Sequence, residues 1–286
     1  MQTPHDSRDA HREMVSTEQS RLTALRKTFH PASIAVIGAS ADEQGPRSDG
    51  WLGRLIHAGF KGRLYPVNPR ASEILGLRSY ASVSEVPGSI DYAIIAVPAE
   101  LVPAVLRECV AKRVAVVHVF SGDFADNGTE TGRNRQQDLE DIIAGGATRM
   151  IGPNCLGVYC PSGGLSFNLD FSHRPGAVSV VSQTGAALIR MLPMAHAKGI
   201  YFSKVVSYGN AIDIDSSELI EYLADDAETS CVMAYIEGVK DGRRLLDACA
   251  RCGRTKPVIV LKAGLTDGGS RAISSHTATL VGTRAV

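Results

Sequence analysis

Residues 33–40 read Ser-Ile-Ala-Val-Ile-Gly-Ala-Ser, and this stretch decides the fold. An aliphatic run that ends at a glycine predicts a buried strand followed by a tight turn into a helix. Strands of a parallel sheet read as continuous apolar runs, because helices cover both faces of the sheet. The stretch therefore predicts the first βα unit of a parallel sheet.

The same alternation of short apolar runs and longer amphipathic stretches continues toward the C-terminus. Alternation of this kind predicts a doubly wound domain with helices on both faces of the sheet. Its predicted strands are residues 33–38, 63–67, 91–97, 114–120 and 150–151, and its predicted helices are residues 50–58, 101–112 and 130–145, after a short helix at 17–27.

A second series of βα units begins at Ala177, after a stretch rich in Ser, Gly and Pro over residues 159–175. Its predicted strands are residues 178–181, 204–208, 231–236 and 257–261, and its predicted helices are residues 186–198, 216–223 and 242–252. We therefore predict an α/β protein of two consecutive doubly wound parallel-sheet domains. The predicted regions are a polar N-terminal tail and helix (residues 1–27), a first domain (28–155) and a second domain (156–286) that is C-terminally incomplete.

The composition excludes several classes of partner. The chain has 30 basic and 30 acidic residues, a formal net charge of zero and no basic tract, which argues against a nucleic-acid partner. No apolar run approaches the roughly 18 residues of a membrane span, and residues 1–20 lack the apolar core of a secretory signal. The sequence therefore predicts a cytoplasmic protein with no membrane partner.

The cysteine and histidine spacing predicts no metal site. The six cysteines mostly lie within apolar or helical patterns, as expected for thiols in a reducing compartment. Cys249 and Cys252 form a CxxC pair, but no second pair lies at zinc-ribbon spacing. The histidines other than His276 also show no metal-ligand spacing.

The turn Gly38-Ala39-Ser40 is the first candidate site. Parallel sheets bind ligands at the carboxyl ends of their strands, where helix N-termini present free N–H groups to phosphates. The turn is not Gly-x-Gly-x-x-Gly, and the second strand ends in Val67-Asn68-Pro69-Arg70 without the ribose-binding acidic residue expected of an NAD site. These features favour a ligand with a phosphate near that strand, such as coenzyme A, over NAD. A purely structural βα connection is the alternative reading.

A second candidate turn is Ser182-Gln183-Thr184-Gly185, which follows a predicted strand and opens a predicted helix. Hydroxyl side chains and free amides at such a turn can surround an anion. The same residues could serve only to cap the helix.

Two further residues carry chemistry. His276 lies in a loop rich in Gly and Ser, and a neutral histidine nitrogen can attack phosphorus near neutral pH. Glu237 ends a predicted strand, so its carboxylate should point into the ligand crevice. A surface histidine and a solvent-exposed glutamate are the alternatives.

Several motifs together resemble a known family. They are Val-Ile-Gly-Ala-Ser at 36–40, residues 58–69, Ala-Val-Pro at 96–98, Phe-Ser-Gly-Asp-Phe at 120–124, residues 151–157, Gly-Asn-Ala-Ile-Asp-Ile-Asp at 209–215 and Ser-His-Thr-Ala-Thr at 275–279. Their order and spacing, over about residues 28–284, resemble the NDP-forming acyl-CoA synthetases of the succinyl-CoA synthetase α-subunit type. The resemblance implies a Rossmann-like CoA-binding domain followed by a flavodoxin-like domain.

The resemblance also implies roles for individual residues. The residues expected to contact coenzyme A are Gly38, Ala39, Ser40, Val67, Asn68, Pro69, Arg70, Val97, Pro98, Phe120, Ser121, Gly122 and Asn154. The residues expected to bind phosphate are Ser182, Gln183, Thr184 and Gly185. His276 is the expected phosphorylated histidine, and Glu237 is expected to orient its ring. Family members often have glycine where this chain has Ala278.

The implied activity is an acid–thiol ligase reaction that passes through an acyl phosphate. It requires a carboxylic acid, coenzyme A and Mg²⁺ with ATP or ADP, the nucleotide being held by an ATP-grasp (β-type) domain or subunit in an oligomer. Three alternatives remain from the sequence: a non-catalytic CoA-binding module or sensor, an NAD(P)-dependent oxidoreductase, and a structural subunit of a larger assembly.

Overall fold

The computed structural model describes residues 19–40 and 50–266. Its first element is a helix, α1, over residues 19–29. Leu25 and Phe29 are buried, and the Phe29 ring stacks on Tyr222 with the ring centroids 5.3 Å apart. The described part of the predicted N-terminal helix therefore packs against a residue far along the chain.

The first sheet contains five parallel strands in the order β2-β1-β5-β6-β7. The apolar runs of the sequence become strands because helices bury both faces of this sheet. The elements in chain order are β1 (Ser33–Ile37), α2 (Trp51–His57), β2 (Arg63–Val67), β3 (Glu73–Ile74), β4 (Leu77–Arg78), β5 (Tyr92–Ile95), α3 (Val102–Ala111), β6 (Val116–Val119), α4 (Glu130–Ile143) and β7 (Arg149–Ile151).

The second sheet has the order β12-β11-β9-β10-β8. Its elements are β8 (Gly157–Tyr159), β9 (Val178–Ser182), α5 (Gly185–Ala197), β10 (Phe202–Ser207), α6 (Ser216–Asp225), β11 (Cys231–Ile236), α7 (Gly242–Cys252) and β12 (Val258–Lys262). The prediction of two parallel-sheet α/β domains is confirmed. The residue limits proposed for the regions stay a prediction.

Two features of the sheets were not predicted. β8 pairs antiparallel with β10, so the second sheet is not wholly parallel. β3 and β4 form a two-residue antiparallel pair beside the first sheet. Strands of two or three residues are too short to show the alternation of side chains on which a strand prediction depends.

The core shows how the two domains are joined. Side chains of β1 alternate between two clusters: Ile34 and Val36 enter one, and Ala35 and Ile37 enter the other. The first cluster continues into the second domain through residues such as Val180 and Leu219. The domains therefore share one apolar core, and the other cluster lies on the opposite face of the first sheet.

A partly buried ion-pair cluster also joins the domains. Arg149, at the start of β7, bonds Asp213 and Glu218 of the second domain with its Nη2 at 2.8 Å from each carboxylate. Asp213 also accepts a hydrogen bond from Met150 N at 2.7 Å. Burial alone would lower the pKa of Arg149, but its hydrogen bonds to Glu218 and Asp213 raise it above its ordinary value. The cluster holds the segment after Gly209 against the end of the first domain.

In the described ranges, 19–40 and 50–266, no helix is both long enough and apolar enough to cross a membrane.

Candidate functional site

The first βα turn can only be built with glycine. Gly38 has φ +86°, and a Cβ there would lie 2.4 Å from the carbonyl oxygen of Ala96. Its N–H donates to Val67 O at 3.1 Å. The turn is thus pressed between the ends of β2 and β5, and its exposed residues Gly38 and Ser40 face the carboxyl edge of the sheet.

Asn68 connects this turn to the end of β2. Its Nδ2 donates to Ala39 O at 2.8 Å, and its Oδ1 accepts from Arg70 N at 2.8 Å. Arg70 is exposed, and its guanidinium forms no ion pair with another residue of the described ranges. The structure therefore brings the predicted residues 38–40 and 67–70 together at one edge.

The loops after β5 and β6 extend this edge. Ser121 Oγ donates a short hydrogen bond to Val97 O, and Phe120 N donates to Ile95 O at 3.0 Å. Pro98 is exposed beside them, and Gly122 is half-buried. All five predicted residues of these two loops therefore lie along the same edge, namely Val97, Pro98, Phe120, Ser121 and Gly122.

The turn after β7 brings Asn154 to the same place. The Gly152–Pro153 peptide is cis, and Asn154 has φ +58°. Asn154 N donates to Ser121 O at 2.9 Å, and a Cβ on Gly122 would lie 3.2 Å from Asn154 Oδ1. Asn154 therefore lies beside the loop after β6.

His118 supports this turn from below and was not predicted as part of the site. Its Nε2 lies 3.1 Å from Cys155 O, and its ring meets Trp51 edge-on with centroids 5.1 Å apart. The side chain is fully buried, and burial lowers the pKa of His118 to about 4. It is therefore neutral near pH 7 and donates from Nε2 to Cys155 O. A single histidine in an apolar strand carries no sequence signal for such a role.

The turn after β9 is organised by Gln183. Gln183 Oε1 accepts hydrogen bonds from Glu237 N at 2.9 Å and Gly238 N at 3.0 Å. Ser182 Oγ donates to Thr184 O at 2.7 Å. Thr184 stands at the N-cap position of α5 but makes no side-chain capping hydrogen bond. The Thr184 side chain therefore does not cap α5, as the helix-cap alternative would require.

Glu237 is buried at the end of β11, with a relative exposure of 3%. Its Oε2 makes no hydrogen bond within the described part of the chain. Both polar groups of its backbone are hydrogen-bonded. Its N–H donates to Gln183 Oε1, and its carbonyl oxygen accepts from Lys262 Nζ at 2.7 Å. Burial lowers the pKa of Lys262. The solvent-exposed alternative for Glu237 is wrong, since this carboxylate is enclosed and has an open acceptor.

A cavity of about 420 Å³ lies where the two carboxyl edges meet. Its first-domain wall includes Phe120, Gly122 and Asn154, and its second-domain wall includes Gln183, Thr184 and Gly185. Six residues predicted for coenzyme A or phosphate therefore line one cavity. The cavity brings residues predicted to bind coenzyme A next to residues predicted to bind phosphate.

Asn210 follows the cavity residue Gly209 and was not among the predicted site residues. Its N–H donates to Pro153 O at 3.0 Å, and its Nδ2 donates to Asp126 Oδ1 at 3.0 Å and Gln136 Oε1 at 2.9 Å. The neighbouring Gly209 is required, because a Cβ there would lie 2.2 Å from Pro153 O. Asn210 lies within the motif at 209–215, but its hydrogen-bond partners Asp126 and Gln136 are remote in sequence.

A larger cavity of about 890 Å³ lies at the amino end of β7, beside Arg149 and Asp213. Arg149 and Asp213 are already bonded to each other, and this cavity contains none of the residues predicted for coenzyme A or phosphate. We therefore place the candidate site at the smaller cavity.

Two predictions concern residues beyond these walls. His276 lies outside the described residues, so its position stays a prediction. In the part of the chain that the structure describes, no group of three or more His, Cys, Asp or Glu residues could hold a metal ion.

The comparisons with known proteins define the class. A family model described as "CoA binding domain" matches residues 32–161, and one described as "Succinyl-CoA ligase like flavodoxin domain" matches residues 175–286. The fold and site are thus those of a CoA-binding domain joined to a succinyl-CoA-ligase-like domain.

Named relatives narrow this class. The chain is 40% identical over 258 residues to the acetate–CoA ligase [ADP-forming] II subunit alpha of Pyrococcus furiosus, covering 89% of this chain and 55% of that protein. It is 36% identical over 257 residues to the 4-hydroxybutyrate–CoA ligase [ADP-forming] of Nitrosopumilus maritimus, covering 88% of this chain and 36% of that protein.

A solved structure of a similar protein has the same fold over most of this chain. The Candidatus Korarchaeum cryptofilum dinucleotide-forming acetyl-coenzyme A synthetase 1, in complex with phosphate and ADP, superposes with a TM-score of 0.83 at 34% identity, covering 91% of this chain and 56% of that chain. The chain is thus a homologue of the α subunits of ADP-forming acetate–CoA ligases and carries both of the matched domains. It spans about half the length of the α subunits that it matches.

Proposed function

We propose that this chain is the CoA-binding and phosphohistidine-bearing part of an NDP-forming acyl-CoA synthetase. The observation that carries the proposal is the cavity between the domains, which joins the Asn154 turn to the Gln183 turn. A thioester-forming ligase must bring a thiol, an acyl group and a phosphoryl group together, and proximity of this kind supplies much of the rate. The similarity to acetate–CoA ligase α subunits agrees with this assignment.

Coenzyme A would lie along the carboxyl edge of the first sheet. The glycine turn brings the exposed residues Gly38 and Ser40 to the carboxyl edge of the sheet, where phosphate oxygens can approach the backbone closely. Arg70 offers an exposed cation near the end of β2, without an ion-pair partner among residues 19–40 and 50–266, which suits a phosphorylated ribose. Coenzyme A then extends past Val97, Pro98 and residues 120–122 toward Asn154. These residues fit a long ligand that enters at the nucleotide end and finishes in the cavity.

The phosphoryl group would lie at the turn 182–185. The first N–H groups of a helix have no partner within the helix, and α5 has no side-chain cap to satisfy them. A helix N-terminus also favours negative charge. Phosphate bound there would lie on the second-domain wall of the cavity, next to the thiol end of coenzyme A.

His276 would carry the phosphoryl group between sites. Its neutral ring nitrogen displaces the leaving group at phosphorus and becomes a phosphoramidate. Glu237 offers a buried acceptor oxygen, and a hydrogen bond from the other ring nitrogen would fix the tautomer and stabilise the charged ring. The open acceptor of Glu237 is what supports this pairing.

Two chemical steps would follow phosphorylation of His276. The carboxylate oxygen of the acid attacks the phosphorus of phosphohistidine, the P–N bond breaks, and an acyl phosphate and neutral His276 form. The CoA thiolate attacks the acyl carbon, the C–O bond breaks, and acyl-CoA and inorganic phosphate are released. Positioning and charge neutralisation do most of the work in such transfers.

The nucleotide would be held by a partner. We infer an ATP-grasp (β-type) domain or subunit, since similar proteins are named as alpha subunits and the two domains of this chain are assigned to other tasks. Mg²⁺ bound with ATP or ADP on that partner would neutralise phosphate charge when His276 is phosphorylated. The active form is then an oligomer or a fused chain.

Mass spectrometry of the intact protein at alkaline pH tests the proposal. The chain is incubated with acetyl phosphate and Mg²⁺, or with acetyl-CoA and inorganic phosphate. We expect one phosphate adduct on the wild type, none on His276→Ala, and an unchanged adduct on the control His173→Ala, whose side chain is exposed elsewhere. Glu237→Gln should slow adduct formation by about 100-fold, because it removes the charge that stabilises the phosphorylated ring.

Binding of coenzyme A, measured by calorimetry on the same samples, separates the alternatives. An adduct that persists in His276→Ala would refute the assignment of the nucleophile. Tight CoA binding with no adduct on the wild type would instead identify a non-catalytic CoA-binding module.

A further inference from the structure

The cavity between the domains has two chemically different walls. Asn154, Gln183 and Thr184 provide polar groups. Phe120, Leu156 and Ile189 provide large apolar side chains, with Cys155 and Ala186 filling the space between them. Ligand sites commonly combine a few polar anchors with an apolar lining of this kind. The polar groups belong to the phosphoryl and thiol chemistry, and Phe120 is assigned to coenzyme A, which leaves Leu156 and Ile189 without an assigned ligand.

Phe120 and Ile189 are held open to the cavity. Phe120 is 39% exposed, and its ring rests edge-on against Trp51 with centroids 5.4 Å apart. Ile189 is 36% exposed and lies on α5, one turn after the proposed phosphate turn. An apolar group placed between them would remove both side chains from water, which is favourable.

Leu156 is confined between the two domains. Its N–H donates to Ser207 Oγ at 3.2 Å, and a Cβ on Gly185 would lie 2.5 Å from Leu156 Cγ. Leu156 therefore has little freedom to move away from a ligand. Ile189 is on the helix surface and is packed less tightly, so its size can be changed with the least disturbance to the fold.

The absence of cationic side chains among the described residues around this cavity indicates which class of carboxylic acid it can hold. None of the cavity residues in the described ranges is Lys or Arg. A substrate with a second carboxylate would leave that charge without a partner against Phe120 and Ile189, which is costly. The wall therefore fits an acyl group that is apolar beyond its reacting carboxyl.

We propose that Ile189, facing Phe120 and Leu156, is the residue that sets the size of the acyl group this chain accepts. The inference rests on the proposed function, because it assigns the acyl end of the same site. The acyl carbon lies near the thiol and the phosphoryl group, and its chain extends along α5 to Ile189. A smaller residue at 189 lengthens the apolar space, and a larger one shortens it.

The test is the release of free thiol from acyl-CoA in the presence of inorganic phosphate, with the chain in excess. A phosphate oxygen attacks the acyl carbon, the C–S bond breaks, and the liberated CoA thiolate takes a proton from water. The substrates are acetyl-, butyryl-, hexanoyl-, phenylacetyl- and succinyl-CoA. The variants are Ile189→Ala, Ile189→Trp and, as a matched control, Met194→Ala, whose side chain lies on the same helix and is 64% exposed.

We expect Ile189→Ala to raise the hexanoyl-to-acetyl rate ratio by about tenfold or more, since a few methylenes in an apolar pocket discriminate to that extent. Ile189→Trp should lower the same ratio, Met194→Ala should leave it unchanged, and succinyl-CoA should be the poorest substrate for the wild type. Equal ratios in the wild type and both Ile189 variants, with acetyl-CoA still cleaved, would overturn this inference alone. Absence of thiol release from every acyl-CoA by the wild type would overturn the proposed function and this inference with it.

Discussion

At the scale of single residues, Gly38 sets the geometry of the first turn. Its φ of +86° is strained for any side chain, and its missing Cβ lets the turn lie against Ala96 O. Ser40 and the proposed phosphate contacts follow directly from this turn. The position therefore combines a conformational requirement with a packing requirement.

We expect Gly38→Ala to destabilise the protein by about 3 kcal/mol and to weaken CoA binding at least tenfold, since both strain and a clash must be relieved. Gly59→Ala is the matched control, because Gly59 has φ +80° but a Cβ there would meet nothing within 4 Å. It should cost only about 1 kcal/mol and leave CoA binding intact. Urea unfolding and calorimetry check both effects. Similar losses in the two variants would show that the contact with Ala96 is unimportant.

His118 is the residue whose titration should be visible in stability. Burial lowers its pKa to about 4 in the folded protein, from an ordinary value of 6.5. The folded state therefore excludes the proton, so the stabilisation is present above pH 6.5 and is lost as the pH falls toward 4. The nearby Tyr92 and Cys155 have pKa values raised by burial and stay neutral over this range.

We expect the wild type to lose about 2 kcal/mol more than His118→Phe when the pH is lowered from 7.5 to 5.0. The measurement is urea unfolding of both proteins at both pH values. His118→Phe also removes the hydrogen bond to Cys155 O, so it should be less stable than the wild type at pH 7.5. An identical pH dependence in the two proteins would mean that His118 accepts a proton inside the fold.

At the scale of elements, β10 is tied to the end of α6 by a buried lysine. Lys204 is 1% exposed and pairs with Asp226 at 2.9 Å and with Glu228. Burial alone would lower the pKa of Lys204, but its hydrogen bonds to Glu228 and Asp226 raise it. The pairing replaces the water that this ammonium loses on folding.

We expect Lys204→Ala to destabilise the protein by about 3–5 kcal/mol, because it leaves Asp226 as an uncompensated buried charge. Lys204→Ala combined with Asp226→Ala should recover part of the loss. The control Arg243→Ala removes an exposed pair on α7, whose side chains are 89% and 74% exposed at 3.8 Å, and should change stability by less than about 0.5 kcal/mol. Chemical denaturation of the four proteins decides whether burial is what distinguishes the two pairs.

At the scale of the whole molecule, the site depends on how the two domains meet. Asn210 bonds Pro153, Asp126 and Gln136, so one side chain and its backbone connect the second domain to two loops and a helix of the first. Coenzyme A and phosphate are assigned to different domains. The distance between the reacting groups therefore depends on this contact.

We expect Asn210→Ala to slow thiol release from acetyl-CoA and phosphate by about tenfold or more while changing the CoA dissociation constant by less than about threefold. The reason is that all of the proposed CoA contacts lie within the first domain. The position of CoA relative to the phosphate-binding turn, in contrast, depends on how the two domains pack. Asn168→Ala, which removes a local turn contact to Asp170 N in the second domain, is the control and should leave the rate unchanged. Parallel losses of rate and CoA affinity in Asn210→Ala would contradict a role in alignment.

Much of the fold follows from local patterns. Each predicted long strand of either sheet is present. These strands could be predicted because a strand buried on both faces of a parallel sheet has a continuous apolar sequence. The short β8 and the β3–β4 pair are too brief to leave such a pattern. The antiparallel direction of β8 depends on its pairing with β10, which lies more than forty residues away in the chain.

The sequence by itself determined the order of the βα units, the glycine turn at 38 and the placement of polar motifs at strand ends, because hydrophobic periodicity and turn chemistry are local properties. Only the tertiary structure decided that the turns at Asn154 and Gln183 share one cavity, that Glu237 is enclosed, and that His118, Asn210 and Ile189 stand around them. Those relations join residues that are distant in the chain. They arise only when two sheets share a core and their carboxyl edges are packed against each other.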